Sequence, residues 1–502
     1  MSRRKVSPGS KPRVRVPARR SHVTTEAALP PLTTGGGWST TPYDPGQALA
    51  TLERDRARAR HAYRADTWVR RLVHLLVSDM VGDTGMVPIT PYDDLARLWS
   101  DWCQEADSRG RTSMLGLQSL AATDLVVAGE AFGRLRDRRP EDGLVVPLQV
   151  EPIRPERVPV TTEDVGNGVR RVGGLLVDPL DRPLSWAVQG RDPIAPAAVP
   201  AREMLHMFSP EGSEDVRGFP WLTTALETAR GLRDYDRLEL ERKRTAARYT
   251  GAFYTPGNDD DDEIVTGAMG ATGANPDGSV KVEQPTGGHM TVLPPGFKPE
   301  FFAVPDVGAN YPVFRKTNLS QIAATVGATY DLLTGDAKSD RILRANLVRW
   351  LRSVGLWQRT LLVERWCAPT WRRFVAAAYA SGAWSPPAGG SVRDAMRCDW
   401  QGPAHPHVHP VQEIAAELMA VRGGVDSRDR VTRRRGGDRR TIDLENSRAA
   451  SGAEAVNVAY DTHTTAGSPD ATAAIIVAAL EAEAAETAAS NAANATGDSS
   501  DA

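Results

Sequence analysis

The longest helical pattern in the chain is the feature that most constrains its fold. From residue 341 to residue 382, apolar side chains recur close to every 3.6 residues, the spacing of one face of an α-helix. This apolar face comprises Leu343, Leu347, Trp350, Val354, Trp357, Leu361, Trp366, Trp371, Phe374 and Ala378. Pro369 lies inside the pattern and must kink or break the helix, because proline has no N–H to bond the preceding turn. We interpret the tryptophans as core residues rather than as a platform for stacking bases.

The first half of the chain changes from helical to β-type patterns. Helices are predicted at residues 48–81, 92–106 and 113–129. In the first of them, the side chains expected to face solvent are Arg54, Arg56, Arg58 and Arg60. Short β-type runs follow at residues 132–135, 145–150, 171–177, 185–188 and 204–208, and Pro and Gly separate them, as in a small antiparallel sheet. The fold class predicted from these patterns is α+β.

A second long helix is predicted at residues 221–249. Pro220 precedes it, where a missing N–H costs nothing, and Gly251 is placed to cap its end. Its apolar stripe is Leu222, Leu226, Ala229, Leu232, Tyr235, Leu238 and Ala246. Glu239 and Lys243 form a favourable i,i+4 pair. Beyond it we expect a Gly-rich zone at 257–312 with extended pieces at 280–283 and 290–293. A short helix at 314–326, a loop at 327–340 and a helix at 410–422 should follow.

The net charge of −2 conceals a strong asymmetry between the two ends. Residues 1–25 contain eight Lys or Arg and no acid, whereas after Arg448 there is no Lys or Arg and eight acidic residues. We interpret both ends as disordered polar extensions, and the basic arm either binds nucleic acid or only solubilises the chain. Neither end has an apolar run typical of a secretory signal or a bilayer span, so we expect a protein assembled in the cytoplasm, without a membrane.

Motifs for catalysis are nearly absent. The chain has no GxSxG elbow, no phosphate-binding GxxxxGK[ST] loop and no HExxH pair. His405, His407 and His409 would share one face of a strand and could bind zinc or nickel, but prolines interrupt the segment and favour a surface stretch with incidental histidines. The acidic run at 259–263 lacks the spacing of a calcium loop and is interpreted as a solvated loop. Three scattered cysteines, Cys103, Cys367 and Cys398, predict neither a disulfide framework nor a metal site.

Several short motifs, in order and in register, resemble one known family. The strings are VPAREMLHMF at 199–208, RGFPWL at 217–222, Asp234-Tyr235 within the following helix, PPG at 294–296, YDLLTGD at 330–336 and Arg344-Ala345 at the start of the longest helix. The closing segment adds Pro410, Glu413, Ala416, Ser427 and Gly437-Asp438. Over roughly residues 44–448 the chain resembles the lambda-type portal proteins of tailed bacteriophages.

The resemblance implies a portal fold with a disordered arm at 1–47 and an acidic disordered tail at 449–502. Between them it implies a wing (48–220), a first stem helix (221–250), a clip (251–313) and a second stem helix (314–326). A tunnel loop (327–340), the long kinked wing helix with strands (341–409) and a helical crown (410–448) would complete the subunit.

The function that the resemblance implies is structural rather than enzymatic, with no cofactor and no metal. Twelve subunits would form a ring at one capsid vertex of the virion, through which double-stranded DNA is packaged and ejected. The implied partners are the terminase large subunit, the major capsid protein and the head–tail connector proteins. We expect the DNA-channel contacts to include Lys316, Lys338, Arg341 and Arg344. The alternatives are a minor capsid or scaffold protein with a nucleic-acid-binding arm, and a metal-dependent hydrolase.

Overall fold

The computed structural model describes residues 45–190, 196–248, 252–254, 298–300, 310–337, 339–404 and 410–456, together with positions 458, 474, 477, 478, 481 and 485. Helices and antiparallel sheets both occur, so the predicted α+β class is confirmed. Several predictions lie outside the described residues: the basic arm, the Gly251 cap, the extended pieces at 280–283 and 290–293, the acidic run at 259–263, the three histidines at 405–409, and Lys338. No helix in the described part is long and apolar enough to cross a membrane.

From residue 45 onward, four helices precede the first large sheet. They are α1 (Pro45–Ala65), α2 (Thr67–Val81), α3 (Asp93–Glu105) and α4 (Met114–Ala128). The prediction of one continuous helix at 48–81 is therefore wrong, because Asp66 adopts an extended backbone between α1 and α2. Its carboxylate accepts hydrogen bonds from the backbone N–H groups of Trp68 and Val69, which caps the new helix.

In the residues that the structure describes, the strands form four antiparallel sheets. They are β1 (Val87–Ile89), β2 (Glu130–Asp137), β3 (Leu148–Ile153), β4 (Glu163–Gly166), β5 (Val169–Val172), β6 (Leu175–Val177), β7 (Pro183–Gln189), β8 (Pro196–Pro200), β9 (Met204–Phe208), β10 (Ala252–Tyr254), β11 (Lys298–Glu300) and β12 (Asp399–Gln401). One sheet has the order β3-β2-β9, a second is the meander β4 to β8, and β1–β12 and β10–β11 are pairs. The run predicted at 171–177 is two strands, because Gly173 and Gly174 adopt positive φ angles that turn the chain between them.

The second half begins with α5 (Leu226–Arg248), α6 (Asn310–Ala324) and α7 (Tyr330–Thr334). The helix predicted at 314–326 starts earlier than expected, and α7 lies inside the segment predicted as a loop. A helical stretch then runs through α8 (Asp340–Trp357), a π-helical segment (Gln358–Cys367) and α9 (Ala368–Ala380). Pro369 falls in the first turn of α9, so the predicted break takes the form of a change in hydrogen-bond pattern directly before the proline.

Five further elements complete the described chain after α9: α10 (Val392–Ala395), β12, α11 (Pro410–Arg422), α12 (Arg428–Arg434) and α13 (Arg439–Ala455). The helix predicted at 410–422 is confirmed. The boundary predicted for the disordered tail, at residue 449, is wrong, since α13 continues to Ala455. The Asp438 carboxylate accepts a hydrogen bond from the Thr441 N–H and so caps the start of α13.

Tryptophans of the long helical stretch lie in the main core, as predicted. Trp350, Trp366 and Trp371 are almost completely buried, and Trp371 and Phe374 pack against Trp99 on α3. The indole of Trp371 donates to the Ala395 carbonyl at 3.0 Å. The core therefore joins the N-terminal helices to the long helical stretch across more than 250 residues of sequence.

Candidate nucleic-acid interface

The antiparallel partners α5 and α6 are joined by aromatic side chains. Tyr235, from the Asp-Tyr motif, lies against the rings of Tyr311 and Phe314, with centroids 5.9 and 4.9 Å away. The Tyr311 hydroxyl donates to the Asp236 carboxylate at 2.6 Å, and this hydrogen bond is the main reason that the pKa of Tyr311 is raised. The predicted apolar stripe of α5 is correct at its start but wrong at Leu238, which is 64% exposed.

Lys316, a predicted DNA contact, is exposed on α6. Its ammonium group lies 5.0 Å from the ring centroid of Tyr330 on α7, a cation–π contact that leaves the charge open to solvent. The preceding residue, Arg315, lies 5.8 Å over the ring of Trp68 on α2. These two cations therefore fix α6 against its neighbours through aromatic faces rather than through carboxylates.

The segment predicted as a moving loop, residues 327–340, is anchored over its first part. Leu333 is buried, and the Arg71 guanidinium donates to its carbonyl at 3.4 Å. The Asn346 amide of α8 donates to Asp331 at 3.1 Å. Gly335, with a φ of +80°, ends α7. The predicted loop fits residues 327–329 and the short stretch between α7 and α8, and Lys338 within that stretch lies outside the described residues.

Arginines lie on the solvent face of α8. Arg341 and Arg344, both predicted DNA contacts, are exposed in its first turns, close to the positive end of the helix dipole. Sequence reasoning missed Arg349 and Arg352, which are exposed on the same side of the helix. Helical spacing of exposed cations was the signal available for them. Among the described residues, no carboxylate lies within ion-pair distance of these four guanidinium groups.

A contrasting set of charges is buried beneath α1. The Glu130 carboxylate on β2 accepts from Arg217 at 2.6 Å and from His206 at 2.9 Å, and it also pairs with Arg56. The prediction that Arg56 faces solvent is therefore wrong: it is 2% exposed. The prediction that Arg60 faces solvent is also wrong, since its side chain is half-buried and pairs with Asp124 and Glu156. Arg54 is exposed, as predicted.

In this ion cluster (Arg56, Glu130, His206 and Arg217), the two arginines keep Glu130 ionised. Burial would raise the pKa of Glu130, but Arg217, Arg56 and the hydrogen bond to His206 outweigh it and hold that pKa well below its usual range. Burial lowers the pKa of His206, and the hydrogen bond to Glu130 only partly opposes this. His206 is therefore neutral near pH 7, with Nε2 donating to the carboxylate.

The RGFPWL motif is built into this cluster. Arg217 also donates to the Gly173 carbonyl at 2.6 Å, and the Gly218 N–H donates to Glu130 at 3.2 Å. A Cβ on Gly218 would lie 2.1 Å from the Gly129 carbonyl oxygen, so only glycine allows this approach of two backbones. The motif therefore holds the start of α5 against the end of α4.

The three cysteines are free thiols. Burial raises the pKa of Cys103 and of Cys398 to about 12. Burial is also the main reason that the pKa of Cys367 lies far above its ordinary value. Thiolate, the reactive form, is therefore scarce at neutral pH. In the described part of the chain, no group of three His, Cys, Asp or Glu side chains is arranged to hold a metal ion.

Two solved structures with partial similarity to this chain are a gene transfer agent neck and a phage portal protein. The neck of an empty gene transfer agent (GTA) particle is 14% identical, covers 76% of this chain and 94% of its own, and gives a TM-score of 0.44. The HK97-family phage portal protein of Corynebacterium diphtheriae is 16% identical, covers 58% of this chain and 83% of its own, and gives 0.28. These TM-scores are too low for either similarity to support a conclusion about this chain. No curated protein matches the sequence.

The family model for "Phage portal protein, lambda family" matches residues 33–358. The match spans about two thirds of the chain and includes the RGFPWL motif, α5, α6 and α7. The predicted function, a phage portal protein that is structural rather than enzymatic, is thereby confirmed. The chain belongs to the lambda family of phage portal proteins.

Proposed function

We propose that the chain forms a ring of twelve copies at one capsid vertex of the virion, and that double-stranded DNA passes through its central channel. The terminase large subunit, the head–tail connector proteins and the major capsid protein would contact this ring. The observation that supports the proposal most directly is the family match over residues 33–358.

The division of the subunit follows from the same proposal. Residues 48–220 would form the wing, α5 and α6 the stem, and residues 251–313 the clip between them. Residues 327–340 would form the tunnel loop, 341–409 the long helix and strands of the wing, and 410–448 the crown. The pairing of β10 with β11 supports a clip that begins and ends at one place, because β10 comes after α5 in the chain and β11 comes before α6.

The exposed face of α8 would contact a second copy of the chain. Ile342, Val348 and Leu356 on this face are between 54% and 60% exposed, and arginines separate them. Large aliphatic side chains gain free energy when a partner removes them from water. A ring buries such a face on each subunit against a different face of the next subunit, as heterologous interfaces do.

DNA contacts would lie at the N-terminal end of α8 and beside it. Arg341 and Arg344 have no described carboxylate partner and lie at the positive end of the helix dipole, while Lys316 is exposed on α6. Lys338, from the sequence, completes the proposed set. Phosphate contacts increase affinity in proportion to the charges neutralised, so a few cations per subunit, repeated around a ring, can hold DNA while still allowing it to move.

Electron microscopy of the purified protein tests the ring. We expect class averages with twelvefold symmetry and a central hole, and a mass far above 54.3 kDa by light scattering. The Leu356→Asp variant should give monomers with an unchanged unfolding transition, because Leu356 is 60% exposed in the subunit. Leu180→Asp, at a site 72% exposed in another part of the molecule, is the control and should still form rings. Monomers of the wild-type chain at every salt concentration would argue for the minor capsid or scaffold alternative.

Packaging assays test the DNA contacts. The Arg344→Gln and Lys338→Glu variants should form rings but package or retain less DNA, with a weaker dependence on salt. Arg359→Gln, just after the end of α8, is the matched control and should package like the wild type. Normal packaging and retention in both test variants would reject these contacts and leave the ring proposal intact.

A further inference from the structure

A strongly basic concave surface lies beside the β2–β3 hairpin. Two cavities of about 510 and 700 Å³ share Ser108, Arg109, Arg157 and Gly190 in their walls. Together their walls include six arginines: Arg109, Arg111, Arg136, Arg138, Arg154 and Arg157. We call this surface the arginine cleft. Among the described residues that line it, Glu151 is the only acidic one, so these residues carry a formal charge of +5.

Most of these arginines are held in place without being neutralised. Arg136 and Arg157 share the carboxylate of Glu151, at 2.6 and 3.7 Å. Arg138 donates to the Gln149 side-chain oxygen at 2.8 Å, and Arg109 to the Pro152 carbonyl at 2.9 Å. These neutral acceptors fix the guanidinium groups but leave their charges uncompensated.

The remaining two arginines are available to a ligand. Arg111 and Arg154 are exposed, and among the described residues neither has an ion-pair partner within 4.0 Å. Like charges brought together repel each other, and a bound anion removes that cost. Guanidinium groups also bind carboxylates and phosphates through paired hydrogen bonds, which a lysine cannot provide. The cleft therefore has the composition of a binding site for several anionic groups.

We propose that the arginine cleft binds the acidic C-terminal tail of the chain, residues 456–502, from the same or a neighbouring copy. The carboxylates of this tail are Asp461, Asp470, Glu481, Glu483, Glu486, Asp498 and Asp501, and the tail contains no Lys or Arg. Glu481, the tail carboxylate that the structure describes, is exposed and so open to a partner. A tethered segment has an effective concentration on the order of millimolar, so a few ion pairs suffice to hold it.

The size of the cleft favours a peptide over duplex DNA. Its cavities have the volume of pockets that enclose a small molecule or a few side chains, roughly 300–1,000 Å³. Duplex DNA presents its phosphates along a thick rod and contacts broad surfaces of about 1,000 Å² or more. Glu151 shows that the cleft already holds one carboxylate between two of its arginines.

A fluorescent label on the tail of the full-length protein tests the inference. The native thiols react little at pH 7.5, because burial keeps the pKa of Cys103 and Cys398 at about 12, so Ala495→Cys can be labelled selectively. We expect Arg111→Gln with Arg154→Gln to lower the anisotropy of the label to that of the free tail peptide. Arg359→Gln with Arg393→Gln removes the same charge at exposed sites elsewhere and should leave the anisotropy unchanged.

Two further measurements separate the rival occupants. A peptide of residues 478–502, added in excess, should lower the label's anisotropy, and its affinity for the cleft variant should fall at least tenfold.

Unchanged anisotropy in the cleft variant would overturn the inference. So would a loss of anisotropy on deleting residues 1–20 alone, since the tail would then bind the basic arm. A cleft variant that loses affinity for a short DNA duplex, while its tail label is unaffected, would assign the cleft to DNA instead.

Discussion

The ion cluster under α1 and the outer face of α8 use the same residue type in opposite ways. Arg56 and Arg217 are almost completely buried, and both bond to the Glu130 carboxylate. On α8, Arg344 and Arg352 are exposed, and no described carboxylate pairs with them. The two buried guanidinium groups have their counter-charge within one subunit. The two exposed guanidinium groups are open to a partner outside it. Burial and pairing therefore separate arginines that maintain the fold from arginines available for assembly or DNA.

The largest effect should come from removing the charge at the centre of the cluster. Glu130→Gln leaves two buried guanidinium groups without their counter-charge, and breaking a buried pair in this way costs about 3–5 kcal/mol. Chemical denaturation should show that loss. The control is Glu203→Gln, which removes a partly exposed pair with Arg134 and should cost less than about 1 kcal/mol. Equal losses of unfolding free energy in the two variants would mean that the buried cluster contributes no more than a partly exposed ion pair.

A methyl group at the close backbone approach should have the next largest effect. Gly218→Ala places a Cβ 2.1 Å from the Gly129 carbonyl oxygen, and the forced shift should lower the free energy of unfolding by about 1–3 kcal/mol. Gly231→Ala on α5 meets no atom within 4 Å and should stabilise the helix by up to about 1 kcal/mol. Opposite signs in thermal melts would confirm that contact, rather than glycine content, decides the outcome.

A smaller effect should appear in the pH dependence of stability. The pKa of His206 is lowered by burial, so below about pH 6.5 the unfolded chain takes up a proton that the folded chain does not. Stability should therefore fall as the pH drops from 7.5 to 5.5, and His206→Gln should fall less steeply. Glu130 does not contribute in that window, because its folded pKa is low and its unfolded pKa is about 4.3. An equal loss of stability between pH 7.5 and 5.5 in the wild type and in His206→Gln, measured by thermal melts, would contradict this prediction.

The smallest effect is expected on α8. Arg352→Gln should change the free energy of unfolding of the isolated subunit by less than about 0.5 kcal/mol, because the side chain is exposed and no described carboxylate pairs with it. The same change should weaken ring assembly, measured by the protein concentration at which rings dissociate. A loss of subunit stability as large as that of Gly218→Ala would remove the contrast between the two sets of arginines.

Periodicity predicted the elements well, because it depends on local spacing. The helix at Pro410–Arg422 and the strand at Met204–Phe208 were located correctly, and so was the break near Pro369. Charge partners could not be predicted in this way. Arg56 resembles its neighbours Arg54 and Arg58 in sequence, and only the pairing of distant β2 and β9 places Glu130 and His206 beneath it.

The candidate site was predictable only in part. Arg341 and Arg344 stay predictions as DNA contacts; they were chosen because they open the longest predicted helix, whereas the exposure of Arg349 and Arg352 depends on which side of α8 is buried. The loop predicted at 327–340 was wrong over α7, because Leu333 packs into a core formed by residues far away in sequence. Local polarity and glycines gave no sign of that contact.

Mechanically, the first part of the long helical stretch is a beam that projects from a point fixed at Trp350. Trp350 is 1% exposed and its indole donates to Asp79 at 2.6 Å, while the Gln358 amide donates to the carbonyls of Asp79 and Met80. From Trp350 back to Arg341 the beam extends nine residues, about 14 Å at 1.5 Å per residue. A sideways force on Arg341 therefore bends the helix about Trp350. Asn346 bonds this part of the helix to Asp331 on α7, and Arg71 of α2 bonds to Leu333 on α7, so α7 and α2 share the force.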